Sequence, residues 1–373
     1  MNAKYKKSID NNLCVLKPID GNGNPYIDII RQCINDAGYR LIEPKDALRP
    51  NYIFKQIKVS NFNWYENIER NTKVKTYRTI AVRKAMVIFL KYAKKSKIII
   101  TVHNKKNHNE TNKDLSEKML VWLINKADVV TILCDDTVGF LNGIVKKYGL
   151  VINNINIKKI CLPNYYDVYV HSSKKIFSEI AGIRDKNCLE LAYFGTISEY
   201  KNVGILLELA DRIKDFRIHI TIAGKGEQNY LEDIKSKIGM KRNITFYDKY
   251  VPDEKIWGFI EGADLVVLPY RKESILNSSA VLLALTVGTN VVCPEMGTTK
   301  EFPQGLIYTY DYNSDDEHLE KLYEVVIEAY NDYCHNKEKF EFRAKRINSL
   351  VLENNSKDIV AQKYKELYDE LTI

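Results

Sequence analysis

The stretch LELAYFGTISEYKNVGILLELADRIKDFRIHITIAGKG, residues 189–226, decides the fold class. Residues 189–194 are an apolar run of strand length that ends at Gly195. Residues 203–213 carry apolar side chains at helical spacing, and 217–222 read as a second strand, ending in Ala223-Gly224. The rhythm continues downstream, with helices predicted over 230–238, 253–262 and 279–286 and strands over 244–246, 265–268 and 290–293. Strand and helix alternating at this pitch predict a parallel sheet with right-handed crossovers. Upstream, residues 13–16, 97–102 and 128–133 read as strands; helices are predicted over 26–37, stopping at Gly38, and over 115–126. The chain is therefore expected to be α/β with two Rossmann-like domains. The first spans residues 1–168 and the second 169–345, followed by a helical tail over 346–373. Parallel sheets place ligands at the carboxyl ends of their strands, so the expected site is a cleft where two such ends face each other.

Composition narrows the function. The chain has 373 residues, 45% hydrophobic and 28% charged, which is ordinary for a globular protein and excludes disorder and coiled coil. The polar start MNAKYKKSIDNN has no apolar segment of signal-peptide type, and no run approaches the length that spans a bilayer. The seven cysteines are scattered and form no CxxC, as expected of reduced thiols in a cytoplasmic protein. The net charge of +8 conceals a split: residues 1–165 hold 29 Lys/Arg and 14 Asp/Glu, and the rest is net acidic. A basic half points to an anionic partner, either nucleic acid or a membrane surface.

Five constellations follow predicted strands. Gly195 and Thr196 lead to Lys201, a cation just before a helix, where N–H groups and the helix dipole favour an anion. Gly224-Lys225-Gly226 is a bare GxG; neither GxGxxG nor a P-loop occurs. Tyr270-Arg271 precedes Ser278-Ser279 at a helix start, and there Arg271 suits a phosphate. His103 follows a buried strand directly, with His108 and Glu110 nearby, and is a candidate base or hydrogen-bond donor. The loop carrying Gly21, Gly23 and Asn24 follows the first strand. Each also reads as an ordinary turn or cap. Neither the cysteine spacing nor His103–Glu110 has a metal-ligand pattern, so no metal or other cofactor is expected.

In order, these features resemble a GT-B glycosyltransferase of the large family 4-like group. The blocks PDEKIWGFIEGADLVVLPYR and SSAVLLALTVGTNVVCP carry the likeness in the second half. GNPYIDII, TVHNKKNHNE and LPNYYDVY resemble a bacterial capsular and exopolysaccharide branch. The resemblance implies a C-terminal helix crossing back onto an acceptor-binding first domain, with a nucleotide sugar, UDP- or GDP-linked, on the second. It implies that Lys201 holds the diphosphate and that the Ser278 and Ser279 amides meet it. It places Tyr250 and Val251 beside the base, Gly21 and Gly23 near phosphates and sugar, and His103 near the transferred sugar. The group's E-x7-E pair falls on Ile275 and Leu283, leaving Glu273 and Glu295 as the nearest carboxylates. The implied reaction is a retaining transfer to a lipid-linked or polysaccharide acceptor.

The basic charge concentrates in residues 70–97, with ten Lys/Arg and no Asp/Glu. Arg78, Arg83, Lys84, Lys91, Lys94 and Lys95 alternate there with Tyr77, Ile80, Val87, Ile88 and Tyr92. A helix with one basic and one apolar face suits the anionic inner face of a membrane. Nucleic acid is not the expected partner, since RNP, KH, zinc-finger and homeodomain signatures are missing. A nucleic-acid-binding protein and a GT-B-fold epimerase or pseudoenzyme stand as the alternatives.

Overall fold

The computed structural model describes residues 12–21, 23–69, 71–105, 112–149, 155–182 and 188–372. The chain forms two compact units: residues 1–163 with 355–373, and residues 164–354.

In the first unit six strands form one parallel sheet: β1 (Leu13–Lys17), β2 (Arg40–Ile42), β3 (Val59–Asn63), β4 (Lys97–Val102), β5 (Val129–Ile132) and β6 (Ile157–Lys159). Their order is β2-β1-β3-β4-β5-β6, so the chain changes direction between β1 and β3. The core joins buried apolar residues of β1, β3, β4 and β5 to helix residues 119–124. The longer helices before the crossover are α1 (Pro25–Asp36), α2 (Lys73–Ile88, continued by a π-helical turn over Phe89–Ala93), α3 (Lys113–Ile124) and α4 (Asp136–Lys147). Asn24 caps α1 by accepting from the Tyr26 N–H, with Pro25 at the first helical position.

β3 is a central strand that the sequence pattern does not reveal. Its segment VSNFN is buried at every residue although three side chains are polar. Each finds a partner: Ser60 Oγ lies 2.7 Å from Ser96 Oγ, and Asn61 Oδ1 accepts from the Thr101 hydroxyl. Asn63 Oδ1 accepts from His103 at 2.9 Å. Partners supplied by neighbouring strands replace the apolar alternation that marks ordinary strands.

In the second unit the strands are β7 (Leu189–Ile197), β8 (Ile218–Gly226), β9 (Ile244–Tyr247), β10 (Leu265–Val267), β11 (Asn290–Pro294) and β12 (Tyr308–Tyr310). The parallel order β12-β11-β10-β7-β8-β9 reverses direction between β7 and β10. The longer helices, continuing the numbering, are α5 (Lys175–Ala181), α6 (Ile205–Arg212), α7 (Gln228–Ile238), α8 (Asp253–Glu261), α9 (Ser279–Val287), α10 (Asp315–His335) and α11 (Lys337–Asn354).

The tail divides later than residue 346. Helix α11 stays with the second unit, where Val351 O accepts from Asn164. Asn355 then donates to Leu162 O, and α12 (Lys357–Thr372) packs on α1 in the first unit. Tyr364 and Tyr368 of α12 are fully buried, and Tyr39 donates to Asp369 at 3.0 Å.

Candidate active site

In the second unit, the point where strand order reverses lies between β7 and β10, and doubly wound sheets open a ligand crevice at such points. Lys201 follows β7 and Tyr270 follows β10. β7 runs on past Gly195 (φ +112°) to Ile197, and a single 3-10 turn, Glu199–Lys201, closes on Asn202. Helix α6 begins only at Ile205, so Lys201 sits on the turn rather than at the helix start. The Lys201 ammonium lies 3.9 Å from the centre of the Tyr270 ring and 5.2 Å from that of Tyr200. Burial against these rings pushes its pKa down to about 7, and among the described residues no carboxylate pairs with it. A cation held on an aromatic face without an acidic partner is prepared for an incoming anion.

Tyr270 is buried and receives a hydrogen bond from Ser278 Oγ at 3.3 Å. Ser278 also caps α9, accepting from the Val281 N–H at 3.2 Å, while its own N–H donates to Thr298 Oγ1. That N–H is therefore engaged within the fold, which corrects the expectation that it meets a ligand. Ser279, exposed, is the first residue of α9. Arg271 is exposed and ion-paired with Asp315 at 3.5 Å. The Thr196 and Tyr250 hydroxyls meet at 3.2 Å, with Val251 buried beside them. Ile275 and Leu283 are both buried, and Glu273 is exposed.

Gly224 and Gly226 have a structural reason that the sequence reading did not assign. A Cβ on Gly224 would strike the Gly195 carbonyl, and one on Gly226 the Ile197 carbonyl. The GxG serves the close pairing of β8 with β7.

In the first unit, the corresponding reversal lies between β1 and β3. Gly21 closes a turn in which Asn24 N–H donates to Gly21 O at 2.9 Å, and Gly23 adopts φ +85°. His103, after β4, is buried with its ring stacked on Trp64 at 3.8 Å and against the edge of Tyr26 at 5.1 Å. Burial pushes its pKa down to about 3, so the ring is neutral, and Nε2–H donates to Asn63 Oδ1. Trp64 holds φ +52°, an outlier for a bulky residue. Asn63 and Trp64 escaped the sequence reading because β3 does not look like a strand, and Tyr26, on the predicted helix α1, was given no role there. Glu110 and His108 lie outside the described residues.

The basic helix also differs from its expected form. Arg83 donates to Tyr65 O at 2.8 Å and Asn67 O at 2.6 Å. Lys91 donates to Lys126 O and pairs with Asp128 at 3.1 Å. Lys94 is buried and donates to the carbonyls of Tyr52, Ile53 and Lys55. These three cations are taken up by the fold, satisfying backbone carbonyls of neighbouring segments. Lys84 lies over the Trp122 ring at 5.2 Å. Arg78 and Lys95 are exposed, beside Val74, Tyr77, Ile88 and Tyr92. Among the described residues no helix is long and apolar enough to cross a membrane, and no three His, Cys, Asp or Glu side chains converge as metal ligands.

Comparison with known proteins bears on the fold and on the second unit. Residues 189–330 match the family described as "Glycosyl transferases group 1". A GDP-mannose:glycolipid 4-beta-D-mannosyltransferase of Xanthomonas campestris pv. campestris is 21% identical over 315 residues, covering 82% of this chain and 81% of the relative. Among solved structures, Anabaena Alr3699/HepE in complex with UDP and glucose superposes with a TM-score of 0.64 at 13% identity, over 96% of this chain and 99% of that one. The catalytic domain of Starch Synthase IV from Arabidopsis thaliana, bound to ADP and acarbose, gives 0.61 at 13% identity, over 95% and 78%. The solved neighbours agree with a fold of GT-B type, and within it residues 189–330 of the second unit are similar to the group 1 glycosyl transferases.

Proposed function

We propose that the enzyme moves a hexosyl group from a UDP- or GDP-sugar to a hydroxyl of a lipid-linked or polysaccharide acceptor in cell-surface glycan synthesis. The observation that carries this reading is Lys201, an ammonium on an aromatic face with no acidic partner, at the reversal point of the second sheet. In this reading the second unit holds the donor and the first receives the acceptor. The sugar–phosphate bond breaks, the acceptor oxygen bonds to the anomeric carbon, and the negative charge grows on the departing diphosphate. Lys201, the start of α9 and Arg271 neutralise that charge. Thr196, Tyr250 and Val251 take the nucleoside. The names of the curated relatives support a glycolipid acceptor and a GDP-linked donor, and the solved neighbours support a UDP-linked one.

A retaining course fits His103. A buried neutral ring orients a sugar hydroxyl by hydrogen bonding and is a poor base. The leaving phosphate then takes the acceptor proton. An inverting course is the second reading, favoured by the buried Ile275 and Leu283, which leave the sugar without the group's carboxylate pair; Glu110 is then the candidate base. The anomeric configuration of the product, read by NMR, separates the two.

The exposed part of α2 is assigned to the anionic inner leaflet, where a pyrophosphate-linked lipid acceptor resides, with the enzyme on the cytoplasmic side. Lys201→Ala and His103→Ala test the site through donor turnover. Both are expected to lose most activity, and full activity in both overturns the assignment.

A further inference from the structure

The turn that carries Lys201 is held at two points. On one side the Arg271 N–H donates to Tyr200 O at 3.2 Å. On the other, Asn202 adopts the left-handed conformation (φ +54°, ψ +38°), and its side-chain Nδ2 lies 3.2 Å from Nδ1 of His318. His318 projects from the first turn of α10 and is completely buried. Its Nε2 lies 2.9 Å from the Tyr310 hydroxyl. Since Nδ1 accepts from Asn202, the neutral ring carries its proton on Nε2 and donates it to Tyr310. Burial holds the ring neutral, with a pKa pushed down to about 4.

The same histidine reaches the other half of the site. Tyr312 stacks flat on it, with ring centres 3.9 Å apart and planes 10° apart. The Tyr312 hydroxyl donates to Tyr270 O at 3.3 Å and accepts from the Lys272 N–H at 3.0 Å. One side of the His318–Tyr312 pair thus fixes the residue after Lys201. The other side fixes the backbone of Tyr270, the ring on which the Lys201 ammonium rests.

We infer that His318, through Asn202 and Tyr312, is a positioning residue that sets the Lys201 ammonium against Tyr270 for the diphosphate of the donor. This rests on the reading of Lys201 as the diphosphate contact. His318 is completely buried; it fixes the backbone on both sides of the group that this reading sets against the diphosphate. Left-handed backbone is costly for most residues, and Asn is among the few that adopt it; a side-chain anchor then holds the turn in place. The Asn202–His318 bond supplies that anchor.

The experiment measures Kd for UDP, GDP, uridine and guanosine by calorimetry from pH 7 to 9. It uses full-length wild type, His318→Leu, Asn202→Gly, Lys201→Ala and the two double variants with Lys201→Ala. Asn202→Gly keeps the left-handed backbone and removes only the amide, so it serves where His318→Leu unfolds. The bound diphosphate is expected to weaken about tenfold in each single variant, as misplacement of a charged contact costs. Nucleoside affinity is expected to stay unchanged, and the fall in diphosphate affinity above pH 7 is expected to flatten. Neither change is expected to weaken binding further once Lys201 is Ala. Wild-type diphosphate affinity in folded His318→Leu and Asn202→Gly overturns the inference. So does an equal loss for nucleoside, or an undiminished loss in the Lys201→Ala background. If Lys201→Ala alone leaves diphosphate binding intact, the donor-site reading itself fails, and the positioning role falls with it.

Discussion

Lys201 carries the functional argument, and its protonation is open to measurement. Burial brings its pKa down to about 7 in the free enzyme, so above neutrality the side chain loses its charge. A bound diphosphate favours the ammonium and raises that pKa. The sign follows: binding takes up a proton between pH 7 and 9, and affinity falls as pH rises through this window. The phosphate's own ionisation near 6 lies below it. Calorimetry in buffers of different ionisation heat is expected to show this uptake in wild type and none in Lys201→Ala; equal uptake in both removes Lys201 from the diphosphate. Lys201 was legible because it follows closely on an apolar strand run punctuated by Gly195. His318 was not, because it lies 117 positions away on a helix whose sequence gives no reason to link it to a turn after β7. Trp64 was hidden similarly, by a strand whose polar side chains are satisfied by partners distant in sequence.

The GxG at the end of β8 shows how an element can account for a motif without a ligand. The closeness of β7 and β8 leaves no room for side chains at Gly224 and Gly226. Gly224→Ala is expected to cost about 1–3 kcal/mol, the usual penalty of overpacking, measured by denaturant unfolding. Unchanged stability would mean that the two strands separate more readily than their pairing suggests. Helix α2 makes the opposite point. Its charge pattern was legible, but which cations remain outside was not, since that depends on carbonyls of residues 52–67 and 126 beneath it. The surface left over includes Tyr77 at 61% and Tyr92 at 60% exposure, with Arg78 and Lys95 among them. Flotation with vesicles containing anionic lipid is expected to recover the wild type and to lose Tyr77→Ser/Ile88→Ser/Tyr92→Ser. Arg78→Glu/Lys95→Glu is expected to abolish the preference for anionic over neutral vesicles. Equal recovery on both vesicle types by the wild type contradicts membrane docking through this helix.

The repeating strand–helix rhythm made both sheets legible, together with the families of connections between them. The strand orders were not legible, because a parallel strand can be added on either side of its predecessor without changing the local pattern. Those orders give the two reversal points: Lys201 and the Gly21 loop, which the resemblance had singled out, follow strands that flank them, and Tyr270, Asn63 and Trp64, to which it gave no role, follow or end the other flanking strands. The basic first unit and acidic second unit fit a division between a lipid-linked acceptor and a nucleotide donor. The most direct test is nucleoside diphosphate release from a panel of UDP- and GDP-sugars, with and without a pyrophosphate-linked lipid acceptor, by wild type and Lys201→Ala. The expected result is acceptor-dependent release for one donor, reduced about a hundredfold in Lys201→Ala, the scale seen when a transition-state charge contact is removed. Release that is independent of acceptor, or equal in the variant, contradicts sugar transfer through this site.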